Sequence, residues 1–223
     1  MSTPAIRLHH VHQARSMRTL WLLHELGLTF ETVIHPFGKN LRDPAYLALN
    51  PAGRVPALEI GDMVMFETGA IAEYLCETYP EAGLGRAPGD AERCNWLIWL
   101  HFAETATQHV AALTQQHVAL YEAAMRSDIV MKLEAARLGK CFGVLNDRLE
   151  GRDYLLEGGF SAVDIACGYA AYAGGHYVKR DDYPALCAWY ARLSKRRAFQ
   201  AALPPAGEGI YRQEFYPAPQ QVP

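Results

Sequence analysis

Glu67 and Thr68 stand side by side where a helix is expected to begin. The first turn of a helix carries backbone N–H groups without partners and the positive end of the helix dipole, so it favours an anion. Thr68 can donate its hydroxyl to such an anion, while Glu67 can accept a hydrogen bond from a cationic group. The alternatives are an N-cap for Thr68 and a solvated helix-start acid for Glu67.

The nine histidines do not have the spacing of a metal site. His9, His10 and His12 fall on a predicted strand, where side chains alternate between faces, so only His10 and His12 point the same way. Three more recur every eight residues along one long predicted helix, which turns each by about 80° from the last. These are His101, His109 and His117.

The five cysteines are an odd number, widely spaced and mostly on predicted helices. We interpret them as small buried hydrophobic side chains. No CxxC pair occurs, so the spacing supplies neither a dithiol redox centre nor a zinc knot. They are Cys76, Cys94, Cys141, Cys167 and Cys187.

The composition is that of a globular chain: 223 residues, 50% of them hydrophobic and 20% charged. A formal net charge of -3 leaves no basic field to hold nucleic acid or an anionic membrane. Met1 to Leu8 lacks a signal pattern, and no apolar run reaches the length of a membrane span. We therefore expect a cytoplasmic protein with neither nucleic acid nor membrane as a partner.

Residues 1–80 combine short strand-like runs with helical periodicity and predict a small thioredoxin-like domain in the order βαβ, loop, ββα. Gly61-Asp62 separates the last two strands and suits a two-residue hairpin turn with glycine first. The expected strands are Ile6–Val11, Phe30–His35, Ala57–Ile60 and Val64–Phe66, and the expected helices run from Met17 to about Gly27 and over Thr68–Tyr79.

Residues 81–89 carry three glycines and one proline and predict a linker. Residues 90–223 then predict an all-helical domain that ends in an irregular, proline-containing tail from Pro204. Ser161 and Asp164 have the spacing of a capping box at the start of one helix. The expected helical stretches are Asp90–Met125, Ser127–Glu150, Ser161–Ala173 and Pro184–Leu203.

Four segments, in this order, resemble the glutathione transferases of bacteria and fungi. They match the first helix of that family, its loop bearing a cis-proline, its γ-glutamyl-binding turn and the capped helix of its second domain. The resemblance extends to about Ala202. The segments are ARSMRTLWLLHELG (14–27), NPAGRVPAL (50–58), FETGAIAEYL (66–75) and YLLEGGFSAVDI (154–165).

The resemblance implies the glutathione transferase fold, an α/β thioredoxin-like N-terminal domain followed by an all-α C-terminal domain. It also implies that glutathione binds as co-substrate: Val55 pairs with the cysteinyl backbone beside a cis Val55-Pro56 bond, while Glu67 and Thr68 bind the γ-glutamyl ammonium and carboxylate. For Lys39, placed at the glycyl carboxylate, the alternative is a solvated surface lysine. The implied glutathione-binding residues are Lys39, Arg54, Val55, Pro56, Glu67 and Thr68.

Ser16 and Arg15 are the implied catalytic residues. A hydroxyl and backbone N–H groups at a helix N-terminus lower the pKa of a thiol from its usual value near 8.5. Relatives carry serine at the position of Ala14 or cysteine at that of Arg15, so Ser16 can act on the thiol or serve only as an N-cap. The lack of cysteine at Arg15 argues against a reductase that forms a mixed disulfide with glutathione.

The implied activity is conjugation of the glutathione thiolate to a small apolar electrophile, without a metal, by a homodimer with a detoxifying role. The aromatic residues Trp96, Trp99 and Phe102 exceed one helix face, which also favours a dimer. The alternative function is a non-catalytic glutathione-binding or regulatory protein with the same fold, which Ala14 favours. The electrophile pocket is expected between the domains, lined by Val11, His12, Trp99, Phe102 and Thr105.

Overall fold

The structure is a computed structural model that describes residues 4–38, 40–214 and 216. The chain divides into two compact units. The first contains the described residues of 1–90 and 195–210, and the second contains those of 91–194 and 211–223. The helices are α1 (Met17–Glu25), α2 (Pro44–Leu47), α3 (Thr68–Thr78), α4 (Arg93–Thr114), α5 (Asp128–Leu149), α6 (Ala162–Gly174), α7 (Pro184–Ser194) and α8 (Arg197–Ala201).

The described residues of the first unit form a four-stranded sheet in the order β2-β1-β3-β4. Strand β1 runs parallel to β2 and antiparallel to β3, and β3 pairs antiparallel with β4. This is the predicted thioredoxin-like arrangement, which is confirmed. The strands are β1 (Ile6–His10), β2 (Glu31–Ile34), β3 (Ala57–Ile60) and β4 (Met63–Phe66).

The predicted hairpin turn is present between β3 and β4. Ile60 pairs with Met63, which leaves Gly61 and Asp62 as the two loop residues. Gly61 has a φ of 58°, in the left-handed region that glycine adopts without steric cost. The glycine therefore fixes the register of β3 against β4.

Helix α1 buries its apolar face and receives α8 from the far end of the chain. The Trp21 indole is fully buried, donates to a Glu25 carboxylate oxygen at 2.9 Å and packs edge-on against Phe199. Arg196 donates to both oxygens of Glu25 at 2.6 and 2.7 Å. The single helix expected over Pro184–Leu203 is wrong: it breaks into α7 and α8, because Arg196 adopts an extended backbone with this ion pair.

The second unit is all-helical. Ala106 of α4, Cys141 of α5 and Ala170 of α6 are small buried residues that bring these helices close, with Phe102 packed against them. Trp96 and Trp99 are also buried in the chain itself. These aromatic side chains therefore lie largely in the core of this chain, and their number does not by itself favour a dimer.

The long helix expected to reach Met125 ends earlier. Helix α4 stops at Thr114 and continues as a π-helical turn over Gln115–Ala119. Arg126 donates from its guanidinium to the carbonyl oxygens of Leu120 and His117, at 3.2 and 3.4 Å. A helix end leaves carbonyls without intrahelical partners, and this arginine supplies donors to that region.

The structure also tests the predictions for the cysteines and for the C-terminal tail. Three cysteines are buried as expected, but Cys94 is exposed and Cys187 is partly exposed. The described part of the tail contains no helix or strand, as expected, and it hydrogen-bonds through Glu214 to His176. Within the described residues, no helix is long and apolar enough to cross a membrane.

The Asp164 carboxylate holds the start of α6. It is fully buried and accepts from the N–H groups of Ser161 and Leu155, each at 3.0 Å, and from the Trp189 indole at 2.9 Å. The bond to Ser161 is the acidic half of the predicted capping box. Burial raises the pKa of Asp164 to about 6, opposed by these hydrogen bonds, so the group is ionised at neutral pH.

Replacing Asp164 with alanine leaves three buried donors without their acceptor. We expect Asp164→Ala to lower the free energy of unfolding by about 3 kcal/mol or more, measured by denaturant titration. Asp153, which forms an ion pair with Arg192 at the surface, is the control: Asp153→Ala should cost less than about 1 kcal/mol. Equal losses in the two variants would contradict the role of Asp164.

Candidate functional site

Strand register brings three chain segments together where β1 and β4 end and β3 begins, which we call one edge of the sheet. His9 of β1 pairs with Ala57 of β3, and Ala57 pairs with Phe66 of β4. The loop that follows β1, the Val55-Pro56 peptide that precedes β3 and the Glu67 that follows β4 therefore lie at the same edge. The Val55-Pro56 bond is cis, as the sequence predicted.

Asn50 holds the loop that leads to this proline. Its buried side-chain amide donates to the carbonyl oxygens of Arg54 and Pro56, at 2.8 and 3.2 Å, and its carbonyl accepts from the N–H of Ala52. The Tyr46 hydroxyl donates to the Arg54 carbonyl at 2.6 Å. These bonds fix the backbone on both sides of Val55.

Val55 lies at a bend two residues before the start of β3. Neither its N–H nor its C=O is hydrogen-bonded to another residue of the described chain. Its residue surface is partly exposed, whereas that of Pro56 is buried. A peptide in extended conformation can therefore pair with Val55 as one more antiparallel strand.

Glu67 and Thr68 form the start of α3. Glu67 occupies the N-cap position with a φ of 74°, a left-handed conformation that is uncommon for a residue with a side chain. Thr68 is the first helical residue, so the N-cap alternative for Thr68 is wrong. Its hydroxyl oxygen accepts from the guanidinium of buried Arg18 at 3.1 Å.

Ser16 lies at the N-terminus of α1, at the same sheet edge. Its hydroxyl is fully buried, 2.8 Å from Nδ1 of His10, and accepts from the N–H of Val11 at 3.2 Å. Ser16 occupies the N-cap position of α1, as one alternative predicted, but its side chain makes no capping hydrogen bond to the helix. The hydroxyl instead holds the two ends of the loop that follows β1 together, through its bonds to His10 and Val11.

His10 is buried beside this hydroxyl. Burial lowers the pKa of His10 to about 3, with a smaller contribution from nearby His12, so the ring is neutral. The His10 and His12 rings are 5.4 Å apart, which confirms that these two share a face. Among the described residues, no group of three or more His, Cys, Asp or Glu side chains is placed to hold a metal ion.

Three predicted residues remain. Arg15 is partly buried in the loop between Val11 and Ser16, and Arg54 is exposed. Lys39 lies outside the described residues.

Comparisons with known proteins identify the family of this chain. The sequence profile described as "Glutathione S-transferase, N-terminal domain" matches residues 4–77. A glutathione S-transferase of Hyoscyamus muticus is 31% identical over 195 residues, covering 84% of this chain and 92% of the relative. The chain belongs to the glutathione S-transferase family.

Other relatives cover a similar share. Protein LigF of Sphingobium sp. (strain NBRC 103272 / SYK-6) is 28% identical, over 84% of this chain and 88% of its own length. A solved theta-class glutathione S-transferase of Xanthomonas axonopodis pv. citri, with glutathione bound, superposes with a TM-score of 0.80 at 30% identity. That match covers 91% of this chain and 99% of the Xanthomonas chain, so it extends through both units.

Two residues of this glutathione S-transferase site were missed from the sequence. Arg18 appeared only as one position of an amphipathic helix, although a charged residue next to Met17 and one turn before Trp21 was a signal of a buried polar contact. Asn50 was part of a quoted motif without a role. Its hydrogen bonds reach only two to six residues along the chain, to Ala52, Arg54 and Pro56. An asparagine before Pro51, Ala52 and Gly53 was a signal of such a turn.

Ser16→Ala removes the partner of two buried groups, Nδ1 of His10 and the N–H of Val11. An unsatisfied buried group costs about 1–3 kcal/mol, so we expect a clear loss in the free energy of unfolding. In a double-mutant cycle with His10→Leu, the double variant should lose less free energy of unfolding than the two single variants together. The reason is that neither Ser16 nor His10 is then left as an unpaired polar group. Strictly additive losses would show that the two side chains do not interact.

Proposed function

We propose that this chain is a glutathione transferase that conjugates the glutathione thiolate to small apolar electrophiles. The observation that carries the proposal is a convergence at one sheet edge. There the Val55 backbone, which has no hydrogen-bond partner in the described chain, meets a helix N-terminus with an acid and a hydroxyl. That combination matches the two ends of a γ-glutamyl-cysteinyl backbone.

The γ-glutamyl group would bind at the start of α3. Its carboxylate would receive the Thr68 hydroxyl and the first N–H groups of the helix, next to the positive charge of Arg18. Its ammonium would donate to Glu67. The strained φ of Glu67 supports this role, because non-glycine residues in the left-handed region concentrate at functional sites.

The cysteinyl residue would pair with Val55 and place its sulfur against the loop that joins β1 to α1. We assign stabilisation of the thiolate to Ser16 and Arg15, chiefly through their backbone N–H groups at the N-terminus of α1. The glycyl carboxylate would be reached by Lys39 and Arg54. No metal is required for any of these contacts.

A second function has an observation in its favour. The Ser16 hydroxyl already bonds to His10 and Val11, and Ala14 has no polar side chain, so the loop lacks an unoccupied hydroxyl for the thiolate at these two positions. A non-catalytic glutathione-binding or regulatory protein would tolerate that. The proposal of a transferase keeps the cytoplasmic location expected from the sequence. It also keeps the homodimer and the detoxifying role that the family resemblance implies.

Retention on immobilised glutathione and turnover separate the two functions. The proposed transferase should be retained and should conjugate glutathione to at least one of an aryl halide, an epoxide and an α,β-unsaturated carbonyl. Retention with no turnover in this screen would favour the regulatory protein. Failure to bind glutathione would reject both.

Glu67→Ala should raise the KM for glutathione by about tenfold to a hundredfold, because a hydrogen bond between charged groups contributes about 1.5–3 kcal/mol. Turnover at saturating glutathione should change much less. Glu81→Ala, at an exposed residue of the segment after α3, is the matched control. A KM equal to that of the control would remove Glu67 from the binding site.

A further inference from the structure

A turn in the C-terminal segment directs a carboxylate at the loop that joins β1 to α1. The N–H of Glu208 bonds to the carbonyl of Pro205, and Gly207 within this turn has a φ of 87°. An oxygen of the Glu208 carboxylate lies 3.1 Å from Nε2 of His12. Both residues belong to the first unit.

A second pair of contacts holds the segment in place. The N–H of Ile210 donates to the side-chain carbonyl of Gln13 at 2.5 Å. Gly209 approaches so closely that an added Cβ would lie 3.0 Å from the same oxygen. Gln13 has a φ of 59°, and its side chain is buried. The ion pair between His12 and Glu208 is therefore one of several contacts that hold this segment against the loop.

This arrangement determines which nitrogen of His12 is basic. A carboxylate at Nε2 favours the tautomer with its proton there, which leaves the lone pair on Nδ1. Nδ1 of His12 has no hydrogen-bond partner among the residues that the structure describes. The His12 side chain is 18% exposed and that of Glu208 is 57% exposed, so the pair lies at the surface of this unit rather than in its core.

We propose that His12 and Glu208 form the base that deprotonates bound glutathione. The inference rests on the proposed function, which places the thiol against this loop. The thiol proton moves to Nδ1 of His12, the S–H bonding pair stays on sulfur, and the resulting imidazolium is stabilised by Glu208. The pair activates the thiol in place of the serine hydroxyl that relatives carry at the position of Ala14.

The step balances with an aryl halide such as 1-chloro-2,4-dinitrobenzene. The thiolate forms a C–S bond, the C–Cl bond breaks, and chloride leaves with the bonding electrons. The proton on His12 then passes to water. The charged or titratable groups beside His12 are Glu208, His10 and, in the same loop, Arg15. His10 stays neutral and so adds no second positive charge.

Thiolate absorbance of bound glutathione, titrated against pH, tests the base directly and needs no electrophile. In His12→Gln the apparent pKa of the bound thiol should rise by about one to two units, toward the value near 8.5 of a free thiol. Glu208→Gln keeps a hydrogen-bond partner at an exposed residue and should give a smaller rise in the same direction. His101→Gln, at an exposed residue of α4, is the control and should not move the curve.

Binding and rate complete the test. Affinity for S-methylglutathione, which has no thiol proton, should be the same in wild type and all three variants. The rate at neutral pH should fall by about a hundredfold in His12→Gln, within the range of general-base effects. Coincident titration curves for wild type and His12→Gln would overturn the inference. A rise in the thiol pKa in His12→Gln that is absent in Glu208→Gln would also overturn it. Either result would leave the proposed function intact. Wild-type protein that does not bind S-methylglutathione would overturn both.

Discussion

The pairing of β1 with β3 is the constraint on which the site depends. Because His9 lies opposite Ala57 and Ala57 opposite Phe66, the end of β1, the start of β3 and the end of β4 are fixed at one edge. A shift of one residue would turn every side chain of β1 to the other face and move His10 away from Ser16. The buried Leu8 and Leu58, which also pair across these strands, oppose such a shift.

Buried polar side chains then fix the loops that this register brings together. Asn50 holds the segment around the cis-proline, Ser16 and His10 hold the loop after β1, and Arg18 joins α1 to Thr68. A buried polar group without a partner is costly, so each of these contacts favours one loop conformation over others. Contacts within the chain itself therefore hold these loops, and a loop that is already held loses less entropy when a ligand binds.

The end of the chain contributes to the same unit as its beginning. Helix α8 is anchored to α1 by Arg196 and Glu25. The turn that follows α8 brings Glu208 to His12, so this unit joins residues almost two hundred positions apart in the sequence. The second unit is stabilised separately, through small residues in its core and the Asp164 carboxylate.

The sequence by itself determined the fold class, the hairpin at Gly61, the cis-proline and the presence of Glu67 and Thr68 at a helix start, because each depends on local periodicity, turn chemistry or a contiguous motif. Tertiary structure decided the rest. The break between α7 and α8 follows from the bond of Arg196 to Glu25, and the end of α4 is supported by Arg126. The partners of Ser16, Arg18 and His12 likewise come from other elements or from a distant turn. Hydrogen bonds between residues far apart in the chain leave no period in the sequence, so only the folded chain shows which polar side chains meet.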